Sequence, residues 1–313
     1  MPHFADSLAT AVQEKGSSLV VGLDPRWEQL PAELTADAGS EPSLQAQADA
    51  YQRFSMGVID AVAETVAVVK PQMAFFEELG PAGMAALAEV VRYAQQRGLL
   101  VVLDGKRNDI GSTATAYARG LLGRDSPWGG DALTISPYLG DDSLEPFVDT
   151  AGERGAGLFV LVKTSNPGGA MLQDRVLIDR VVSDRADNAT PLYRLVGDHV
   201  ESLAAATVGE CGYGSVGAVV GATYPEQLAE LRSAMPHTWF LVPGFGAQGG
   251  SAADVAGAFD ERGLGAIVNS SRGVIFAHRR PEYAQFGEAR WQDAVRQAAI
   301  DATAQIRDAA ATR

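Results

Sequence analysis

Short apolar runs, each closing on polar or proline residues, recur eight times along this chain, and segments of helical periodicity separate them. The runs fall at 18–24, 67–72, 99–106, 132–137, 157–165, 217–223, 238–246 and 265–272. Nearly continuous apolar character, rather than strict alternation, is what a strand buried on both faces requires, and that is the condition of a parallel sheet covered by helices. The intervening segments at 43–65, 82–96, 112–122, 225–234 and 252–261 carry apolar residues at helical spacing. Eight strand and helix units in alternation predict an α/β chain folded as a closed (β/α)8 TIM barrel.

The 313 residues suit one barrel domain over 1–313 with additions. Extra helices are expected at 4–14 and 283–310, as amphipathic covers for the barrel ends, and the longest connection, 166–215, reads as an insertion after the fifth strand that becomes helical around 191–208. A doubly wound dinucleotide-binding sheet is the competing architecture, because Gly244, Gly246 and Gly249 have the G-x-G-x-x-G spacing. That motif belongs after the first strand with an acidic ribose reader downstream, whereas here it follows the seventh run and no such acid follows.

Charge and cysteine usage narrow the partners. A net charge of −14 repels polyanions over most of the surface, which disfavours nucleic acid. The single cysteine, Cys211, excludes an intrachain disulfide framework or a cysteine zinc cluster and suits a reducing cytoplasm. His3, His199, His237 and His278 are too scattered to form a helical metal pair. The N-terminal residues lack the order of a signal peptide, and no stretch offers the roughly 18 apolar residues of a membrane span. Neither a metal nor an organic cofactor is called for. A small anionic substrate remains open, provided a few cations converge locally.

Polar residues at the C-terminal ends of barrel strands surround the active site of such folds. The densest cluster is Asp104-Gly105-Lys106-Arg107-Asn108-Asp109 after the third run. Asp104 and Lys106 are two apart and share one strand face, while Asp109 lies beyond the strand on the way to the next helix. A lysine between two carboxylates stays protonated and is a proton donor; a Schiff-base lysine needs the opposite setting. Two carboxylates beside an anionic substrate are repulsive, and loss of a substrate carboxylate as carbon dioxide relieves that repulsion. The arrangement suits decarboxylation followed by protonation. Lys70, at the end of the second apolar run, is costly there without a carboxylate, and Asp104 is its candidate partner. A solvated loop of surface ion pairs, or a rim lysine, is the bland alternative for these charges.

The segment from Leu103 to Thr113, LDGKRNDIGST, resembles the D-x-K-x-x-D-I-G-x-T signature of orotidine 5′-monophosphate decarboxylases, in the longer bacterial form. Gly105 and Asn108 depart from the alanine and glycine that form usually carries at the spacer positions. Further resemblances follow in order: Gly22-Leu23-Asp24-Pro25 for the first strand, Val69-Lys70-Pro71-Gln72 with Ala74-Phe75-Phe76-Glu77 for the second, and Lys163-Thr164-Ser165-Asn166-Pro167-Gly168 for the base-reading loop. Pro243 to Gly250 and Asn269-Ser270-Ser271-Arg272-Gly273 match the loops that hold phosphate.

The resemblance implies cofactor-free conversion of orotidine 5′-monophosphate to uridine 5′-monophosphate and carbon dioxide, with Lys106 as proton donor in a network with Lys70, Asp104 and Asp109. It further implies that Asp24 holds a ribose hydroxyl, Ser165 reads the base, Gln248 spans base and phosphate, and Pro243, Ser271 and Arg272 complete the substrate site. A homodimer is implied as well, with Asp109, Ile110 and Thr113 lent to the neighbouring subunit's site. Two rivals are a magnesium-dependent sugar-phosphate decarboxylase or aldolase, which shares D-x-K-x-x-D, and a non-catalytic phosphate-binding protein. The first places a metal-binding carboxylate where Lys70 stands, and a lysine repels Mg2+. The second has no need of Lys106 and its carboxylates.

Overall fold

Alternate residues along each strand enter two separate cores. Val20, Val68, Val102, Ala132, Phe159, Trp239, Leu241 and Ile267 belong to one buried cluster, and their neighbours Val21, Val69, Val101, Leu133, Val160, Phe240 and Val268 to another. A strand alternates its side chains with period two, so each must be covered on both faces. The computed structural model describes residues 3–178, 189–246 and 250–312, and within it both faces are satisfied by a closed barrel. Its strands are β1 (Leu19–Leu23), β2 (Val68–Pro71), β3 (Leu100–Arg107), β4 (Ala132–Ile135), β5 (Gly157–Lys163), β8 (Val216–Val220), β9 (Phe240–Val242) and β10 (Ala266–Ser270). The order is β1-β2-β3-β4-β5-β8-β9-β10 with β10 closing on β1, and neighbours are parallel throughout. The first cluster fills the barrel and the second lies between strands and helices.

Helices Leu44–Val62, Gly80–Gln96, Gly111–Leu122, Glu145–Arg154, Leu192–Ala205 and Pro225–Ala234 supply the outer layer. Ser43 caps the first of them, its hydroxyl accepting from Ala46 N at 3.2 Å. The N-terminal helix Phe4–Lys15 plugs the barrel floor, with Phe4 edge-on to Phe159 at 6.1 Å. Gly157 permits this: a Cβ there would lie 2.1 Å from the Phe4 ring.

Two expected helix spans need correction, and the insertion after the fifth strand holds an element that was not expected. The helix expected over 283–310 begins only at Trp291, because 281–286 and 288–290 are 3-10 turns separated by Gly287 at φ 65°. It packs on the outer wall, where Trp291 stacks on Phe54 at 5.3 Å, instead of covering an end. The helix expected over 252–261 stops at Val255 and tightens into a 3-10 turn at 256–258, where Gly257 sits close against Ala229. Finally, the insertion after β5 contains an antiparallel hairpin, β6 (Val176–Ile178) with β7 (Ala189–Pro191), ahead of its helix. Among the described residues no helix is long and apolar enough to cross a membrane.

Candidate active site

The inward-facing register that fills the barrel with Val68, Val102, Ala132 and Ile267 continues two residues further up each strand to Lys70, Asp104, Thr134 and Asn269. All four line a cavity of about 390 Å³ at the C-terminal mouth. The change from apolar floor to charged rim is thus a change of residue type within one face.

Asp104 is the hub. Its Oδ1 accepts from Lys106 Nζ at 2.6 Å and from Thr134 Oγ1 at 2.9 Å, and its Oδ2 accepts from Lys70 Nζ at 2.5 Å and from Gln72 Nε2 at 3.3 Å. The side chains of Lys70 and Asp104 are 6% and 7% exposed, whereas Lys106 is 46% exposed and reaches into the open cavity. Burial by itself would raise the Asp104 pKa, but Lys70 and Lys106 outweigh it and hold the carboxyl well below the usual carboxylate range. Burial likewise works against the Lys70 charge, yet Asp104 and Asp24 push its pKa above the ordinary lysine value. Both members of the pair are therefore ionised, which is the condition on which buried charge is tolerated.

A local irregularity sets the angle of Lys106. The β3–β4 register shifts between Leu103 and Arg107, and Lys106 is in the left-handed region at φ 45°, alone among the described non-glycine residues. Its N–H is anchored by Thr134 Oγ1 at 2.9 Å. Gly105 lies against Met73, whose sulfur would be 2.8 Å from a Cβ at that position. The glycine that departs from the usual alanine is accordingly matched to this methionine.

The remaining walls come from the other strand ends. Asp24 Oδ1 is buried without a hydrogen-bond partner among the described residues, and so is Asn269 Oδ1. Gly22 keeps β1 clear of Ser271, since a Cβ would fall 1.9 Å from the serine hydroxyl oxygen. Ser165, Pro243, Ser271 and Arg272 line the cavity, and Arg272 is exposed with no carboxylate within ion-pair distance among the described residues.

Within one chain the expected pair of carboxylates does not close around Lys106. Asp109 is half-buried and, among the described residues, takes only its neighbour's amide, Ile110 N, at 2.9 Å, because the chain has left β3 and turns through Gly111 at φ 53° into the next helix. Among the described residues Lys106 pairs with Asp104 alone. Ile110 and Thr113 are exposed and likewise absent from the cavity wall. Gln248 lies outside the described residues. Sequence reasoning assigned no role to Thr134, Gln72 or Asn269; a threonine within the apolar run Ala-Leu-Thr-Ile is also an ordinary β-former, so its polar atom gave only a weak signal.

Comparison with known proteins decides the family. The model of the orotidine 5′-phosphate decarboxylase / HUMPS family matches residues 17–285. The chain belongs to this family. Among its relatives, the orotidine 5′-phosphate decarboxylase of Rhodopirellula baltica is 55% identical over 98% of this chain and 100% of its own length. That of Deinococcus radiodurans is 44% identical over 88% and 90%. A solved structure of the orotidine 5′-phosphate decarboxylase of Leishmania donovani superposes with a TM-score of 0.73 at 33% identity, covering 98% of each chain. The chain is on these grounds a carboxy-lyase of the decarboxylase branch, and its barrel is that of its family.

Proposed function

We propose that the chain, acting as one barrel domain, converts orotidine 5′-monophosphate to uridine 5′-monophosphate and carbon dioxide without a cofactor, and that Lys106 supplies the proton. The observation that carries this reading is the Lys70–Asp104–Lys106 array, in which a buried carboxylate is held ionised between two ammonium groups beside an open cavity. A substrate carboxylate set next to Asp104 is repelled. As the bond between C6 and that carboxylate breaks, the electron pair stays on C6, carbon dioxide leaves, and a Lys106 Nζ–H delivers its proton to C6. Fixed charges stabilise the developing carbanion, so no electron sink is needed. Lys70 keeps Asp104 charged throughout.

Substrate contacts follow from the groups that line the cavity. Asp24 Oδ1, an acceptor without a donor among the described residues, suits a ribose hydroxyl. Ser165 reads the pyrimidine, and Arg272, a cation without an ion pair among the described residues of a strongly acidic protein, grips the phosphate with Ser271 beside it. Pro243 forms part of the apolar wall, and Gln248 is assigned to base and phosphate on the family resemblance alone. Lys70 speaks against the metal-dependent sugar-phosphate reaction, since it occupies the position of the metal carboxylate.

We further infer a homodimer in which Asp109, Ile110 and Thr113 enter the neighbouring site. Ile110, Tyr117, Tyr138 and Leu139 are 55%, 40%, 72% and 47% exposed on the segments after β3 and β4, a grouping of apolar surface that supports association there. The lone, unpaired Cys211 supports a cytoplasmic setting. The deciding assay follows the loss of orotidine 5′-monophosphate absorbance with protein treated with EDTA. Undiminished turnover is expected; a loss restored by titrating Mg2+ would reject the mechanism.

A further inference from the structure

Lys163, the last residue of β5, is fully buried, and the chemistry above makes no use of it. Its ammonium forms an ion pair with Asp174 and lies 4.3 Å from the ring centre of Tyr224. Asp174 belongs to the insertion, directly after the short helix Ala170–Gln173. The residue before it, Gln173, holds the adjoining position of the cavity loop by both ends of its amide: Oε1 accepts from Thr164 N at 3.0 Å, and Nε2 donates to Thr164 Oγ1 at 2.8 Å. Gly169 leaves the space for this pair, since a Cβ there would sit 2.9 Å from both Gln173 Oε1 and Thr164 Oγ1.

The next residue is Ser165, whose backbone is seated from the opposite side. Thr223 Oγ1 donates to Ser165 O at 3.0 Å, and a Cβ on Gly221 would lie 2.7 Å from Ser165 Cα. Ser165 is therefore gripped on one side by the segment after β8 and on the other, through Lys163 and Thr164, by the insertion. A side chain that recognises one edge of a planar base has to be fixed to within about 0.5 Å, and such fixing comes from the groups behind it.

We propose that Gln173 and Asp174 are positioning residues for base recognition, so that the insertion after β5 sets the affinity of this barrel for the pyrimidine by holding the Thr164–Ser165 backbone. The proposal rests on Ser165 being the base contact.

Two probes separate the possibilities when titrated calorimetrically into the full chain: uridine 5′-monophosphate, which has the base, and ribose 5-phosphate, which lacks it. Gln173→Ala and Asp174→Asn should each weaken uridine 5′-monophosphate binding by about tenfold while ribose 5-phosphate changes by less than about twofold, and Asp174→Glu should restore most of the loss. Because the effect passes through Ser165, Gln173→Ala should add almost nothing in a Ser165→Ala background. If Ser165→Ala weakens the nucleotide but the other two variants bind it like the parent, or their losses multiply with that of Ser165→Ala, the positioning role is wrong. Equal weakening of both probes would reduce Gln173 and Asp174 to structural supports and also overturn it. A Ser165→Ala protein with parental affinity would remove the base contact itself, and this inference with it.

Discussion

The two ends of the barrel are built on the same strand faces and have opposite character. At the floor, Val20, Val68, Val102 and Phe159 meet a helix that brings Phe4 and Leu8, all of them 4% exposed or less. At the mouth, two residues further along β2 and β3, the same faces present Lys70 and Asp104. Apolar burial stabilises in proportion to area and tolerates small rearrangements, whereas a buried ion pair contributes little net stability and is severely disturbed when one partner is lost. The floor is therefore where the fold is held and the mouth is where strain and charge are tolerated for chemistry.

The sharpest way to break this division is Lys106→Ala. It removes the proposed proton donor, a role worth about 10²–10⁴-fold in rate, and leaves the Asp104 Oδ1 side without its cation, so turnover should fall beyond the usual general-acid figure. Circular dichroism should stay that of the parent. A folded variant that still decarboxylates within about tenfold of the parent would remove Lys106 from the mechanism. The mirror experiment is Phe4→Ala at the floor: with a ring 4% exposed and packed on Phe159, its loss should destabilise by about 3–5 kcal/mol in urea melts, with kcat unchanged where the protein is folded. A large drop in kcat there would show that the floor shapes the mouth.

Arg272→Ala is expected to have a smaller effect, about 2–3 kcal/mol in kcat/KM, the range of hydrogen bonds to a charged group. A phosphate-free substrate analogue should lose almost nothing, and equal losses on both substrates would make Arg272 structural. Least of all should pH matter near neutrality. Asp104 has its pKa lowered on folding, so its stabilising contribution is complete above the ordinary carboxylate value of about 4 and is lost as pH falls below it. Lys70 has its pKa raised, so its contribution is complete below the ordinary lysine value of about 10.4 and is lost as pH rises past it. Urea midpoints in Asp104→Asn should consequently show less acid sensitivity below that carboxylate value than the parent; identical profiles would deny the carboxylate this role.

Much of this was legible in the residues. The eight barrel strands appear where apolar runs predict them, with ends displaced by a few positions, because a doubly covered strand leaves a dense apolar signature. Lys70 meets Asp104 as its cost of burial demands. Less visible were features whose cause is tertiary. The helix Glu145–Arg154 buries only Phe147, Thr150 and Ala151, too little for a periodic signal, and β6 and β7 are three residues each on the surface. That Asp109 makes no ion pair with Lys106 among the described residues of one chain depends on the turn at Gly111, and the fitting of Gly105 to Met73 depends on two strands meeting.

The left-handed backbone of Lys106 has a consequence for how this sequence can drift. A side chain other than glycine, asparagine or aspartate at such a φ costs on the order of 1–2 kcal/mol, so the backbone by itself would favour a glycine at this position. On the role proposed for Lys106, relief of backbone strain and selection for turnover therefore pull residue 106 in opposite directions. Laboratory evolution for heat resistance alone, with no demand for pyrimidine synthesis, should erode this lysine before it touches the residues packed beneath it.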